Sequence, residues 1–593
     1  MPSDMRPNSV ILHDAGLTGR PRWLAFRDPV ACVTARAVAQ VRPALQRVEA
    51  EVAAGYFAAG FLSYEAAPAF DAALHAHRPG VLPLLWFGIY RMAEEVPPPA
   101  ATMGQAYMVS PWHADLNAEA YRTGIKRIKD SIARGETYQV NYTMRLSAHF
   151  TGDAWSFFAD LVRAQQARYC AYIDLGDHVL CSASPELFFQ RSGNEITCRP
   201  MKGTAARGLS SGEDLAQASW LRASTKNRAE NVMIVDMMRN DLGRIADPGS
   251  VRVTSLFDVE QYDTLWQMTS SVTARSHATL GDIFGALFPC ASITGAPKVR
   301  TSQIIAALEP TPREIYTGCM GFVAPNGDAQ FNVAIRTAHL ETRTGRMVYG
   351  TGGGITWGSD EAEEYAECQT KTRVLTERRP VFQLLETLLW KPGAGYFLLD
   401  YHLQRLADSA RYFGISINLQ ALQEALYALT PGLTQRHRVR LLVDEAGQAR
   451  TEATPIVASP IRRWRVRLAE HPIEQQERFL YHKTTQRACY DGARAAAPGY
   501  DDVLLWNISG EITESTIANV VLRRQGGLMT PPLSCGVLPG TYRAHLLATG
   551  RINEGIITID ELATAEAIYL INAVRGWIPV QYTHGASRDQ VKV

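Results

Sequence analysis

Pro380 constrains the fold of this chain more than any other single residue. The residues before it, from about Ser359 to Glu377, read as one long helix. Arg378-Arg379-Pro380 ends that helix, because proline disfavours a helical conformation in the residue ahead of it. The apolar run VFQLLETLLW then reads as a new strand. A helix that closes one set of elements and a strand that opens another set place a boundary near residue 380, with expected domains of 1–379 and 380–593. At 593 residues the chain exceeds the size at which one hydrophobic core stops growing, so at least two domains are expected. No extended linker separates them, and Pro97, Pro98 and Pro99 mark only a loop inside the first. Both stretches mix short β-rich runs, such as that around Val439 to Val443, with amphipathic helices. The expected class is α+β, with α/β the other arrangement the pattern allows.

Charge and cysteine usage narrow the function classes. A formal net charge of +1 gives no basic footprint for nucleic acid. There is no apolar run of roughly 18 residues. The opening MPSDMRPNSV also lacks the charged-then-apolar order of a signal peptide. The expectation is a cytoplasmic protein without membrane or nucleic-acid partners. The nine cysteines are scattered and form no CxxC pair, so they read as free thiols rather than a zinc or redox site.

Three separated segments of the first stretch carry chemistry. In AENVMIVDMMRNDLGR, Glu230 opens a helix in which Val232, Val235 and Met238 are expected to face the core. In SDEAEEYAECQTK, Glu364, Glu367 and Lys371 fall at i, i+3 and i+7 on one helix face. Taken alone, that pattern also fits an exposed ion-paired helix. Magnesium takes oxygen ligands and keeps several waters, so one carboxylate from each helix with a substrate carboxylate would hold it. Glu230 and Glu367 are the expected pair, with Glu364 beside them. In YGTGGGITW, the bare amides of Gly350, Gly352, Gly353 and Gly354 are expected to form an anion-binding nest, though a plain turn fits the same string. Thr294 and Gly295 within SITGAPK (Ser292 to Lys298), Tyr316 and Gly318 in YTG, and Arg336 in AIRT add donors for a dicarboxylate.

These strings, together with GETYQVN, SASPELFF and PMKGT, occur in the order found in the chorismate-utilising enzymes, and the stretch from about 115 to 377 resembles that family. FLSYE at Phe61 to Glu65 resembles its amino-terminal region, which implies that residues 1 to 114 complete the same domain. The resemblance implies chorismate as substrate and Mg2+ held by the carboxylates matching Glu230 and Glu367. Lys202 in RPMKGT distinguishes the members: anthranilate synthases usually carry alanine there, and aminodeoxychorismate synthases lysine. A desolvated lysine loses proton affinity and becomes a nucleophile toward the ring. Gln267 in WQMTSSV departs from the histidine of many relatives, and glutamine cannot transfer a proton at neutral pH, so substrate hydrogen bonding is the most expected of it.

In the second stretch, LLDYHLQRLADSARYFG carries Arg405, HKTTQR carries Lys483, GEITESTIANVVL carries Glu514 and GVLPGTYR carries Gly540 and Thr541. Each string alone fits a solvated charge or a turn. Together and in this order they resemble the fold-type IV pyridoxal phosphate enzymes, a two-subdomain fold. The resemblance implies that Lys483 links to the pyridoxal 5'-phosphate and later moves protons, and that Glu514 pairs with the ring nitrogen. It implies that Arg405, Gly540 and Thr541 hold the phosphate. Arg575 in INAVRGW, beside Asn572, is expected near a substrate carboxylate.

The two resemblances together imply 4-aminobenzoate synthesis for folate: amination of chorismate to 4-amino-4-deoxychorismate, then removal of pyruvate by a lyase. The alternative is an anthranilate synthase component I joined to a fold-type IV aminotransferase. Neither Cys319 in TGCMG nor Cys535 in LSCGV sits in a GxCxG glutaminase string. The expected ammonia source is therefore a separate glutamine amidotransferase subunit, and a homodimer through the lyase domain is the expected assembly.

Overall fold

The computed structural model describes residues 6–16, 20–99, 106–376, 379–457, 462–524 and 526–583. Glu377 and Arg378, at the end of the expected long helix, lie outside the described residues. The chain divides into two compact units, Met1–Ala206 with Ala218–Arg379, and Arg207–Gln217 with Pro380–Val593. The segment Arg207–Gln217, which the sequence places inside the first stretch, belongs to the second unit.

Among the described residues, two sheets form the first unit, one of eleven strands and one of ten. Strict alternation along the strands decides what each face meets. Val10 and Leu12, and Ala171 and Ile173, share an apolar cluster with Ala59, Phe61, Met320 and Phe322 of the other sheet, so this cluster is the layer between the sheets. Their neighbours Ile11, Cys170 and Tyr172 point the opposite way and meet Phe157, Phe158 and Leu161 of the helix Ala154–Gln165. On the far face of the ten-stranded sheet, Phe87, Phe189 and Phe331 pack against the helices Val38–Ala53, Thr225–Gly243 and Leu280–Leu287. The amino-terminal strands are integral to both sheets, Ser9–Asp14 pairing with Tyr169–Asp174 and Phe57–Leu62 with Cys319–Val323.

The helix Thr225–Gly243 starts where Ser224 accepts a hydrogen bond from the Asn227 amide. Its buried face is Asn231, Ile234, Val235, Met238 and Leu242, whereas Val232 is exposed. The expectation for Val232 therefore fails: the inward stripe is set one residue earlier, because Asn231 reaches inward to the Ser270 hydroxyl at 2.5 Å and the Lys202 carbonyl at 3.4 Å. The helix Glu361–Thr372 is shorter than the expected 359–377. Asp360 caps it by accepting from the Ala362 and Glu363 amides, three glutamates fill the first turn, and Lys371 stands in the last.

Within the second unit, the antiparallel sheet of Leu384–Lys391, His437–Val443, Ala449–Pro455 and Gly395–Tyr396 is covered by the helices Leu399–Phe413 and Leu419–Ala428. An eight-stranded mixed sheet follows, with Trp464–Leu468 parallel to Asp502–Trp506 and to Gly576–Tyr582. Mixed helix and strand, with two sheets in each unit, is the α+β class expected.

Candidate active sites

The first site is assembled on two neighbouring strands. Gly350, Gly352, Gly353 and Gly354 do not form the expected nest. They lie within the strand Arg346–Ile355, laddered against Gln139–Gly152, with Gly354 opposite Asn141 and Gly352 opposite Thr143. Their amides belong to a sheet, and what the glycines supply is room. A Cβ at Gly350 would enter the Tyr316 ring at 2.2 Å, and one at Gly353 would meet Glu364 Oε2 at 2.7 Å. One at Gly354 would meet Gln139 Nε2 at 2.3 Å and Lys202 Nζ at 2.9 Å. A missing methyl group at each position thus admits a side chain from a different element.

Lys202 is on the strand Met201–Ala206, crowded by protein yet with accessible surface. Burial is the main cause that holds its ammonium below the usual lysine range; Glu186, Glu230 and Glu367 oppose the shift and Lys371 reinforces it. Glu230, Glu367 and Lys371 among these place both carboxylate-bearing helices near Lys202. Glu230 is pushed up by burial and by Glu367. Glu364 is also pushed up, by burial and by Glu367 and Glu230, against its hydrogen bond from the Ser359 hydroxyl at 2.6 Å. Glu367 is held down by Lys371, whose ammonium lies 2.9 Å away and also donates to the Gly352 carbonyl at 2.8 Å.

Among the described residues, no three His, Cys, Asp or Glu side chains converge as a ready-made metal cage. The donor set still suits Mg2+: oxygen ligands only, with carboxylates near enough for Glu367 to raise the pKa of Glu230 and of Glu364.

Of the remaining expected residues, Thr294, Gly295 and Tyr316 border the same strand pair. The Thr294 carbonyl accepts from the Asn141 amide at 2.9 Å and Gly295 pairs with Val140. The Thr294 hydroxyl is turned to the Cys290 carbonyl at 2.9 Å. Tyr316 is buried under the Arg145 guanidinium, 5.3 Å from the ring centre. Arg336 donates to the Lys371 carbonyl at the end of the second carboxylate helix. Lys298 bonds to Asp241 at 2.6 Å and the Leu287 carbonyl at 2.9 Å, an internal pairing that uses its charge. Gln267 donates to the Gly203 carbonyl at 2.9 Å, so its amide props the residue beside Lys202.

Two residues in this site have no local signal in the sequence. Glu186, in SASPELFF, is buried and pushed up to about 7 by desolvation, despite the Ser292 hydroxyl donating to it at 2.6 Å and the charge of Lys202. A carboxyl in that range holds or releases a proton at neutral pH. Gln139, in GETYQVN, is buried with neither amide atom bonded, and both Gln139 and Lys202 crowd the space over Gly354.

The second site is centred on Lys483, recessed but accessible, and pushed down to about 8 by burial and by Arg405. Arg405, on the helix Leu399–Phe413, is clamped by Glu386 at 2.9 and 2.7 Å and donates to the Pro539 carbonyl at 3.1 Å. Glu386 also holds His402 at 2.6 Å, and His402 meets the Thr541 hydroxyl at 3.3 Å. One buried carboxylate thereby fixes the arginine and, through His402, the start of the helix Thr541–Ala548 that Gly540 caps. Glu514 accepts from Tyr490 at 2.7 Å, the Leu538 amide at 3.2 Å and Asn519 at 3.3 Å, and burial pushes it up to about 7. A Cβ at Gly540 would strike Asn519 Oδ1 at 1.9 Å, so glycine there permits the turn to close on the residue that holds Glu514.

A fixed guanidinium with a helix start for a phosphate, a buried carboxyl for a ring nitrogen and an amine of lowered pKa that feels both fit pyridoxal phosphate. Arg487, in HKTTQR but unassigned from sequence, adds a positive charge beside both Lys483 and Glu514 and donates to the Thr516 carbonyl at 2.6 Å. Arg575 is exposed with its guanidinium 5.2 Å over the Trp464 ring, and Asn572 shapes its turn by accepting the Arg575 amide at 2.8 Å.

Comparison with known proteins follows the same division. Residues 17–377 match the family model described as chorismate binding enzyme, and residues 383–582 that of amino-transferase class IV. Aminodeoxychorismate synthase component 1 of Klebsiella aerogenes is 42% identical over 262 residues, 44% of this chain and 58% of that protein. Anthranilate synthase component 1 of Neisseria meningitidis serogroup B is 35% identical over 272 residues, 46% of this chain and 55% of that protein. The chain thus spans a little over half the length of these relatives. Among solved structures, anthranilate synthase component I of Streptococcus pneumoniae has a TM-score of 0.52 at 22% identity, covering 64% of this chain and 94% of that one, which shows a shared fold.

Proposed function

Because the chain belongs to the chorismate binding enzyme family, we propose that its first domain, 1–379, aminates chorismate to 4-amino-4-deoxychorismate. Its second, 380–593, then removes pyruvate to leave 4-aminobenzoate for folate synthesis. The observation that carries this reading is Lys202, low in proton affinity and placed beside Glu186 over the gap left by Gly354.

The neutral Lys202 amine adds to the ring carbon next to the carboxylate-bearing one; the ring double bonds shift and the hydroxyl leaves from the far carbon. Glu186 gives its proton to that departing hydroxyl, which leaves as water, and takes one back from the alkylated amine. Ammonia then enters at the carbon the hydroxyl vacated, the double bonds return, and the Lys202 amine departs with the proton that the entering ammonium gives up. Mg2+ held by Glu230, Glu364 and Glu367 would supply a positive charge to the conjugated carboxylate. Thr294, Gly295, Tyr316, Arg336, Lys371 and the strand Gly352 to Gly354 line the substrate.

In the second domain, pyridoxal phosphate supplies the electron sink. Arg405, Gly540 and Thr541 would hold its phosphate, and Glu514 would keep a proton at its ring nitrogen. Lys483 would anchor it, and its amine would take the proton from the amine-bearing ring carbon and return one to the methylene carbon of the departing enolpyruvate, which thereby leaves as pyruvate. Arg487 and Arg575 are positive groups for the substrate carboxylates. Aromatisation of the ring drives the step.

Ammonia comes from a separate glutamine amidotransferase subunit, since neither Cys319 nor Cys535 has a reactive setting: burial raises both thiols, Cys535 to about 12. The protein works in the cytoplasm, as a homodimer through the second domain. Among the described residues no helix is long and apolar enough to cross a membrane. Incubation with chorismate, Mg2+, pyridoxal phosphate and an ammonium salt tests the whole reading. 4-Aminobenzoate is the expected product; anthranilate would replace this reading with a synthase of the ortho isomer joined to an aminotransferase.

A further inference from the structure

The second unit is not built from the carboxy-terminal residues alone, since Arg207–Gln217 belongs to it. Arg207, with a side chain only 6% exposed, forms a two-point ion pair with Asp214 at 2.7 and 2.8 Å. It donates to the Tyr412 carbonyl at 2.7 Å, and its guanidinium lies 4.4 Å over the Tyr412 ring. Tyr412 in turn packs on the ring of His482, with centroids 4.1 Å apart, and His482 is the residue before Lys483. The Ser409 hydroxyl fixes His482 Nδ1 at 3.0 Å, and the Ser211 hydroxyl donates to the Asp408 carbonyl at 3.1 Å. A second line of contact starts two residues after Arg207. Leu209 packs into the cluster of Leu480, Tyr481 and Tyr490, and the Tyr490 hydroxyl donates to Glu514 at 2.7 Å.

A buried guanidinium costs folding energy unless its hydrogen bonds and its face are satisfied, and here the Asp214 carboxylate, a carbonyl and an aromatic face do so. The same cation disfavours a charge on His482, which burial pushes down to about 3, so the ring that packs on Tyr412 is the neutral imidazole. Arg207 and Leu209 thus stand behind the two groups that a pyridine cofactor requires, the lysine and the acid.

We propose that Arg207–Gln217 is a built-in wall of the second active site: Arg207 is a positioning residue for Lys483 through Tyr412 and His482, and Leu209 one for Glu514 through Tyr490. The second active site is therefore not self-contained in 380–593, for it borrows residues that lie inside the chorismate-binding match. This inference rests on reading that site as one for pyridoxal phosphate.

The test uses the full chain with pyridoxal phosphate and reads two quantities: the dissociation constant, and the midpoint of the pH titration of the visible absorption of lysine-bound cofactor. Arg207→Ala is expected to weaken binding roughly tenfold, about 1.4 kcal/mol, and to move the midpoint, because Tyr412 and His482 lose the group they pack against. Arg207→Lys, which keeps a cation near the ring but not the two-point pair, is expected to recover part of both. Where Arg207→Ala does not fold, Asp214→Asn and Leu209→Ala give the same readouts with smaller changes. Unchanged affinity and midpoint in the folded variants overturn the positioning role while the wild-type band stands. A wild-type protein without any lysine-bound band overturns the cofactor reading itself, and the inference with it.

Discussion

Gly354 faces Lys202 so closely that a single added methyl group would sit 2.9 Å from the lysine Nζ and 2.3 Å from Gln139 Nε2. Carbon at that distance from a nitrogen of a crowded side chain forces one of them to move, and Lys202 has protein on its other sides. Gly354→Ala is expected to lower the rate of chorismate amination by at least about a hundredfold, the scale of a misplaced reacting group. The substitution leaves the strand intact, because its φ is not in the left-handed region, so alanine is tolerated by the backbone. The check is the rate of 4-amino-4-deoxychorismate formation beside a circular dichroism melt; a normal rate in a folded protein would remove Lys202 from the reacting position.

Lys202→Ala is expected to abolish amination at the far ring carbon. Ammonia can still attack beside the carboxylate without help from a protein nucleophile, so a low yield of the ortho isomer is the predicted residue of activity. Product analysis by chromatography separates the two, and full 4-aminobenzoate synthesis by Lys202→Ala would falsify the covalent role.

The sequence revealed these sites unevenly, for physical reasons. Lys202, Glu230, Glu367, Arg405, Lys483 and Glu514 lie in strings whose order alone carries the resemblance. The glycine run was legible as important but not as what it is. A nest and a paired strand have the same composition, and only the partner strand Gln139–Gly152 decides between them. Glu186, Gln139 and Arg487 sit in strings that were recognised, yet nothing in one dimension marks them. What marks them is burial and neighbours drawn from distant positions, such as Ser292 for Glu186. The same limit hid Arg207–Gln217, which no periodicity assigns to the second unit.

Glu186 sets a pH dependence with a definite sign. Its carboxyl is pushed up to about 7 by burial, opposed by Lys202 and the Ser292 hydroxyl, with the Cys290 thiol also near. If the protonated form serves the leaving hydroxyl, the active fraction is complete below that value and declines above it. At constant free ammonia Glu186 therefore contributes a limb that falls as pH rises through about 7, while deprotonation of Lys202 acts with the opposite sign. Glu186→Gln cannot supply the proton; a drop on the order of 10²-fold or more is expected, together with loss of that limb. A variant that keeps both the wild-type rate and the limb would assign the titration to another group.

Lys483 imposes a stability cost on the cofactor-free protein that its replacement should relieve. The folded amine is pushed down to about 8, whereas in an unfolded chain it titrates at ~10.4. Below about pH 8 the lysine is protonated in both states, and the folded state bears the full cost of a buried ammonium. Between about 8 and ~10.4 the unfolded chain retains a proton that the folded chain has released, so the cost is relieved as pH rises and is gone above ~10.4. The gap corresponds to roughly 3 kcal/mol. Lys483→Met, which preserves the stem without the charge, is expected to raise the stability of the apo second unit at pH 7 by up to that amount. Its advantage over wild type should shrink as pH climbs through the window. Urea titrations of both proteins at pH 7 and pH 10, following the transition of the second unit, measure the difference directly. Parallel curves at the two pH values would mean that the folded lysine is not depressed. The same substitution removes the covalent anchor, so added pyridoxal phosphate should give no lysine-bound absorption band and no 4-aminobenzoate, while 4-amino-4-deoxychorismate accumulates from the first site.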